Sequence, residues 1–305
     1  MSKIAIIKIG ATGDVVRTTV LLHLYKNDEV TWITARHNIP VLPFKQASLR
    51  SVLALEDIDT TDVLDQHFDL VISLDDDFKC AELAASIKSN KLFGAYAKGN
   101  LICYTDTSNE WFDMGLSSRF GRERADRLKW ENKCSYQEIL FRMLGYNFKG
   151  EEYFIPEDII SKAQNNIIGI ESRAGARWPT KIWNQYSELS IALEKEGYQC
   201  VFFKDRESIK DYMQDIGDVS LFIGGDTLGM HIALALKIPV IAIFTCTSAA
   251  EIFGYSRMKK IVSPFLEKAF YKTDYIPEAV DSIELSDVHD AVKESFILDP
   301  LKHGW

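Results

Sequence analysis

Short apolar runs separated by polar, turn-forming stretches recur along the whole chain, and many are followed by stretches whose apolar residues fall three or four apart. In the first half, Lys3–Ile9, Val30–Thr34, Val52–Leu55, Leu70–Ser73 and Leu92–Ala95 read as strands. Helices are expected around Thr18–Lys26 and Lys79–Lys88, with a longer one over Leu128–Leu144 closed by Gly145. After Pro156 the pattern restarts, with strands over Ile167–Ile170, Cys200–Lys204, Leu221–Ile223 and Val240–Phe244. Helices are expected over Trp183–Glu196 and Met230–Leu236, and Asp287–Phe296 as a terminal helix packing back across the halves. Helix and strand in alternation imply a mainly parallel sheet covered on both faces. It happens twice. The expected fold class is therefore α/β with two Rossmann-like domains, 1–160 and 161–305, whose sheets face a central cleft.

Two glycine-bearing loops give that architecture its first chemical hint. Gly10-Ala11-Thr12-Gly13-Asp14 follows the first strand, and Gly224-Gly225-Asp226-Thr227-Leu228-Gly229-Met230-His231 follows Leu221–Ile223. Each reads as strand, tight turn and helix start, which aims backbone N–H groups at whatever lies above the strand tip and suits an anion. The first is a poor dinucleotide fingerprint. Val16 stands where a third glycine belongs, and Thr34-Ala35-Arg36 replaces the acidic residue expected at the end of the second strand.

Composition narrows the class. A chain of 305 residues at 47% hydrophobic and 26% charged can bury two full cores, and its net charge of −9 argues against a nucleic-acid partner. The charge is uneven, −1 over residues 1–150 and −8 over 151–305, so an anionic partner should prefer the first half. The five cysteines are scattered without metal or disulfide spacing, and no apolar run is long enough to span a membrane. The expectation is a cytoplasmic protein, monomeric or a small homo-oligomer, with at most peripheral contact with the inner membrane.

Asp14 admits two readings: a helix N-cap, or a carboxylate at the strand tip able to accept a proton from a substrate hydroxyl. Asp226 to His231 offers a hydroxyl, a permissive glycine and the N–H groups of a helix start where a diphosphate could rest. His231, one turn in, suits orienting that loop better than proton transfer. Arg173, Arg177, Thr180 and Lys181 fall in one strand-to-helix loop of the same half, where their charge would flank a pyrophosphate. Arg119, Arg122 and Arg124, with Arg127 and Lys129, form the basic concentration of the first half beside Phe120 and Trp130. Such a cluster reads equally as a solvated helix entrance or as a seat for an anionic saccharide. Asp75-Asp76-Asp77 reads as a solvated strand exit or cleft wall rather than a metal motif.

Three of these motifs in this order, Gly10-x-x-Gly13-Asp14, Trp178-Pro179-Thr180-Lys181-x-Trp183 and Asp226-Thr227 through His231 to Pro239, resemble the heptosyltransferases of glycosyltransferase family 9. The resemblance implies a GT-B fold whose first domain binds the acceptor and whose second binds a sugar nucleotide, with ADP-heptose as donor. It implies inverting transfer without a metal, to a saccharide or glycolipid hydroxyl. Carried over residue by residue, Asp14 looks like the general base and Gly13 like part of the acceptor side. Lys181, Thr180 and Arg177 look like the cationic donor loop, and Asp226, Thr227, Leu228, Gly229, Met230 and His231 like the donor-binding turn. Here Leu228 stands where the family has glycine directly after Asp-Thr, and Thr245-Cys246-Thr247 replaces its Gly-Pro-Thr. Two other classes stay open: an NAD(P)-dependent oxidoreductase using the first loop, and a non-catalytic nucleotide-sugar-binding protein needing no Asp14.

Overall fold

In the computed structural model, residues 1–46, 48–115, 119–163 and 166–297 are described, and the chain divides into two units, Met1–Glu157 and Asp158–Trp305. The first unit runs β1 (Lys3–Ile7), α1 (Thr12–Thr18), α2 (Leu21–Leu24), β2 (Glu29–Thr34), β3 (Leu49–Ala54), β4 (His67–Ser73), α3 (Phe78–Ser86), β5 (Lys88–Lys98), β6 (Leu101–Tyr104), α4 (Asn109–Phe112), α5 (Arg122–Glu131) and α6 (Tyr136–Met143). Its sheet has the order β3-β2-β1-β4-β5-β6, parallel except for the β5–β6 pair. Ile4 to Ile7 are buried because β1 lies mid-sheet, and Ala5, Ile7, Ile33 and Val71 pack with Cys80, Leu83 and Ala84 of α3.

The second unit runs β7 (Ile167–Glu171), α7 (Tyr186–Lys195), β8 (Gln199–Phe202), α8 (Ile209–Gly217), β9 (Leu221–Gly225), α9 (Leu228–Ala235), β10 (Val240–Phe244), β11 (Met258–Val262), α10 (Leu266–Ala269), α11 (Pro277–Asp281) and α12 (Leu285–Ile297). Its sheet is parallel throughout, in the order β11-β10-β9-β7-β8. The terminal helix α12 packs on α7, β10 and β11. Trp183, fully buried, donates its indole N–H to the Ile283 carbonyl at 3.0 Å and ties that segment to the start of α7.

In each sheet the strand order reverses about the first strand, placing a switch point between β1 and β4 and another between β7 and β9. The loops leaving the carboxyl ends of strands that flank such a point diverge and leave room for a ligand.

Several elements differ from the sequence expectation. The first helix begins at Thr12 rather than Thr18 and breaks before α2. Thr18 and Thr19 donate their hydroxyls back to the carbonyls of Asp14 and Val16, which competes with continued helix. The single helix expected over Leu128–Leu144 is two helices, because Asn132 turns the chain and Ser135 with Glu138 forms a capping box that starts α6. The strands β5 and β4 run longer than their apolar cores.

Candidate functional site

The loop after β1 is shaped by a buried charge pair. Lys8, buried directly after β1, meets Asp75, two residues past β4, at 2.6 Å. The other oxygen of Asp75 accepts the amides of Ile9 at 2.5 Å and Gly10 at 3.3 Å. Burial works against the Lys8 charge, but Asp75, Asp14 and Tyr136 outweigh it and raise its pKa above the ordinary lysine range. A β-carbon on Gly10 would come within 2.9 Å of both Asp75 Oδ1 and Lys8 Nζ, so a side chain there would have to push the ends of that ion pair aside. Asn38, fully buried, completes the loop by donating to the carbonyls of Ile9 and Gly10 and accepting the Thr12 hydroxyl. The amides of Ile9 and Gly10 are thus occupied by a carboxylate, which leaves a dinucleotide pyrophosphate no seat on them.

Asp14 does not cap α1, correcting that reading. Ala11 occupies the N-cap, and Asp14 is the third helical residue, its amide bonded to the Ala11 carbonyl at 2.8 Å. Its carboxylate is partly exposed and accepts from Arg17 at 2.9 Å. Gly13 lies buried in the same turn.

The three aspartates after β4 play three different roles, and Asp75 is no solvated strand exit. Asp76 is half-buried, so burial holds its carboxyl above the usual range, and it accepts from the Tyr104 hydroxyl at 3.4 Å. Asp77 caps α3 by accepting the Cys80 amide at 3.1 Å. The arginine segment carries its own counter-ions: Arg119 pairs with Asp113, Arg122 with Asp126 and Arg127 with Glu131. Arg119 and Arg124 both lie over the Phe120 ring.

In the second unit the loops after β7 and β9 meet at the switch point. Lys181, at the end of the 3-10 turn Pro179–Lys181, donates to the Asp226 carbonyl at 2.7 Å and to its carboxylate at 3.3 Å. His231 Nε2 lies 3.9 Å from the other oxygen of that carboxylate. Thr180 is fully buried and spends its hydroxyl on the Asp274 carbonyl and the Ile276 amide, while its own carbonyl accepts from Thr245. It therefore holds the loop in place. Arg177 is exposed over the Trp178 ring, and Trp178 packs against Tyr271. Cys246 lies near Lys181 and Asp226, and burial pushes its thiol up to about 11, so it stays protonated near neutrality.

Helix α9 starts at Leu228 with Thr227 as N-cap, but no side chain caps it, and the Thr227 hydroxyl is buried without a hydrogen bond. A helix start without a side-chain cap suits an anion. Met230 is fully buried, so it offers a ligand only its backbone. Gly229 is buried against Tyr212 of α8 and Phe222 of β9, a packing reason for glycine at this position.

The sequence reading passed over Glu171, which ends β7. It is almost fully buried, accepts from Arg173 through both oxygens at 2.8 Å, and takes the Tyr212 hydroxyl at 2.6 Å. Arg173 reaches on to Asp205, beyond β8, so its charge is shared between two carboxylates. Lys8 and Glu171 share a signal that sequence does carry: a charge within or directly ending an apolar strand. Arg17 and Tyr136 carry no such signal.

Among the described residues, no group of three or more His, Cys, Asp or Glu is arranged to hold a metal, and no helix is long and apolar enough to cross a membrane.

Residues 205–276, which include Asp226 to His231, match the family model described as glycosyltransferase family 9 (heptosyltransferase). A search of curated proteins found no match. Among solved structures, the fold matches a glycosyl transferase family 9 protein from Veillonella parvula, 16% identical, with a TM-score of 0.65 and 97% of each chain covered. It also matches E. coli heptosyltransferase WaaC with ADP-2-deoxy-2-fluoro heptose, 14% identical, with a TM-score of 0.62, covering 96% of this chain and 99% of that one. A third match is the iron-containing dodecameric glycosyltransferase TibC from enterotoxigenic E. coli, 11% identical, with a TM-score of 0.60, covering 97% of this chain and 76% of that one. In sequence over residues 205–276 and in fold along nearly its whole length, the chain is similar to the GT-B heptosyltransferases of glycosyltransferase family 9.

Proposed function

We propose that the protein is an inverting glycosyltransferase that moves a heptose, or a related sugar, from an ADP-activated donor to a hydroxyl of a saccharide or glycolipid acceptor. The observation that carries this reading is the second unit's switch point, where Lys181 meets Asp226 and the start of α9, the latter two inside the family-matched residues 205–276. The ADP-sugar in the WaaC structure supports ADP as the nucleotide. In this reading the second unit binds the donor and the first unit the acceptor.

Asp14 accepts the proton of the acceptor hydroxyl, whose oxygen forms the new bond to the anomeric carbon. The bond from that carbon to the diphosphate breaks, and the diphosphate leaves with the electron pair. Lys181 and the first-turn amides of α9 stabilise the charge it gains. A diphosphate is already a good leaving group, so neither a general acid nor a metal is required. Arg119, Arg122 and Arg124 would hold an anionic acceptor, Arg119 and Arg122 in competition with Asp113 and Asp126.

A thermal-shift panel of ADP, UDP, GDP and NAD tests the reading. Stabilisation by ADP above the others is expected. A response to NAD alone would overturn it in favour of an oxidoreductase, and a response to UDP or GDP alone would replace the donor. Release of ADP from ADP-heptose that stops in EDTA and returns with added metal would overturn the metal-free mechanism.

A further inference from the structure

Arg17 is an arginine almost withdrawn from solvent, on the helix that carries Asp14, with no part in the reaction as described so far. Its guanidinium carbon lies 4.2 Å from the centroid of the Tyr136 ring and 5.6 Å from that of Trp111. Those two rings meet edge to face, and the Tyr136 hydroxyl stands 2.8 Å from that of Thr18, one residue beyond Arg17. A planar cation laid on aromatic faces keeps its fork in a fixed plane. One arm of that fork reaches Asp14 Oδ1.

We propose that Arg17 is the positioning residue of Asp14: clamped on the Tyr136 and Trp111 rings, its guanidinium fixes one carboxylate oxygen and holds the group ionised. The proposal rests on the reading of Asp14 as the base. A base fixed in direction and already ionised needs no reorganisation when the acceptor hydroxyl arrives. Other charged and titratable groups around Asp14 are Lys8 beyond β1, which feels its charge, Asp75 beyond β4, which neutralises Lys8, and Tyr136 on α6. Lys129 of α5 lies over the Trp111 ring, 5.5 Å from its centroid. Lys8 is tied to Asp75, whereas Arg17 is bonded to Asp14 itself.

The test needs no acceptor. Proteins labelled with 13C at the aspartate carboxyls, with Asp14→Asn to assign the Asp14 resonance, are titrated as wild type, Arg17→Met and Arg17→Lys. Arg17→Met keeps a chain of similar length against the rings and removes the charge. The Asp14 titration is expected to move to higher pH in Arg17→Met and to return most of the way in Arg17→Lys. In parallel, the rate of ADP release from ADP-heptose in water should fall about 10- to 100-fold in Arg17→Met, with ADP affinity unchanged. An Asp14 resonance that titrates identically in wild type and Arg17→Met overturns the proposal. If Arg17→Met does not fold, Arg17→Lys decides: its ammonium cannot reproduce the stacked fork, so an unchanged rate of ADP release overturns the proposal. A moved titration with an Asp14→Asn variant that releases ADP normally would leave the pair intact and refute the base instead.

Discussion

The phenol of Tyr212 stands where a β-carbon on Gly229 would intrude, and it is held there by its hydrogen bond to the buried Glu171. Three elements thereby meet at one point: the tip of β7, the body of α8 and the first turn of α9. Gly229→Ala should destabilise the protein by about 1–3 kcal/mol, since the Phe222 ring blocks the other direction. Urea unfolding of Gly229→Ala, Tyr212→Phe and the double variant would show it. A double variant that merely sums the two losses would mean that the phenol is not what excludes the β-carbon.

Lys181 and Asp226 form a largely buried pair at the proposed donor site. If Lys181 also contacts the diphosphate, Lys181→Ala should weaken ADP binding by about 1–3 kcal/mol, read by calorimetry. An unchanged affinity would confine Lys181 to the role of holding the Asp226 turn.

Asp14→Asn should retain ADP binding, and because Ala11 and not Asp14 occupies the cap of α1, the stability it loses is that of the Arg17 pair alone. Turnover should fall by about 10²–10⁴, since an amide cannot accept the hydroxyl proton. Rate measurements at saturating ADP-heptose decide the matter. Near-normal turnover would sink the base assignment.

Asp75→Asn should be costly wherever the reaction itself is concerned or not, because it leaves the Lys8 ammonium buried without its partner. A loss of about 3–5 kcal/mol is expected in denaturant unfolding. The sign of the pH dependence follows from the raised pKa of Lys8. Its contribution is fully present below the unfolded-state value of about 10.4 and is lost only as pH rises beyond it. Wild-type stability that already declines between pH 7 and 9 because of Lys8 would contradict this, and Lys8→Met would reveal it by removing the slope.

The sheets were legible because β1, β9 and β10 are buried on both faces and so are nearly unbroken apolar runs. Both glycine loops were legible for the same reason, as punctuation after those runs. The break between α5 and α6 was written in the sequence too, as Ser135 followed three residues later by Glu138, but the apolar spacing across it masked the signal. Arg17 was not legible. Its meaning depends on Tyr136, 119 positions away, and no local pattern announces that a surface-type side chain will be laid on a distant ring. Asp75 is similar: it belongs to Lys8 only because β4 lies beside β1.

Thr180 ties its own loop to two other stretches of chain, through its hydroxyl to Asp274 and Ile276 and through its carbonyl to Thr245. The loop that carries Lys181 is therefore braced by contacts within the protein itself. For an incoming anion this shifts the slow step of capture from loop ordering to encounter. Association should then be a single, concentration-linear phase whose rate is governed by charge, and the eight-unit negative excess of residues 151–305 makes added salt speed it rather than slow it.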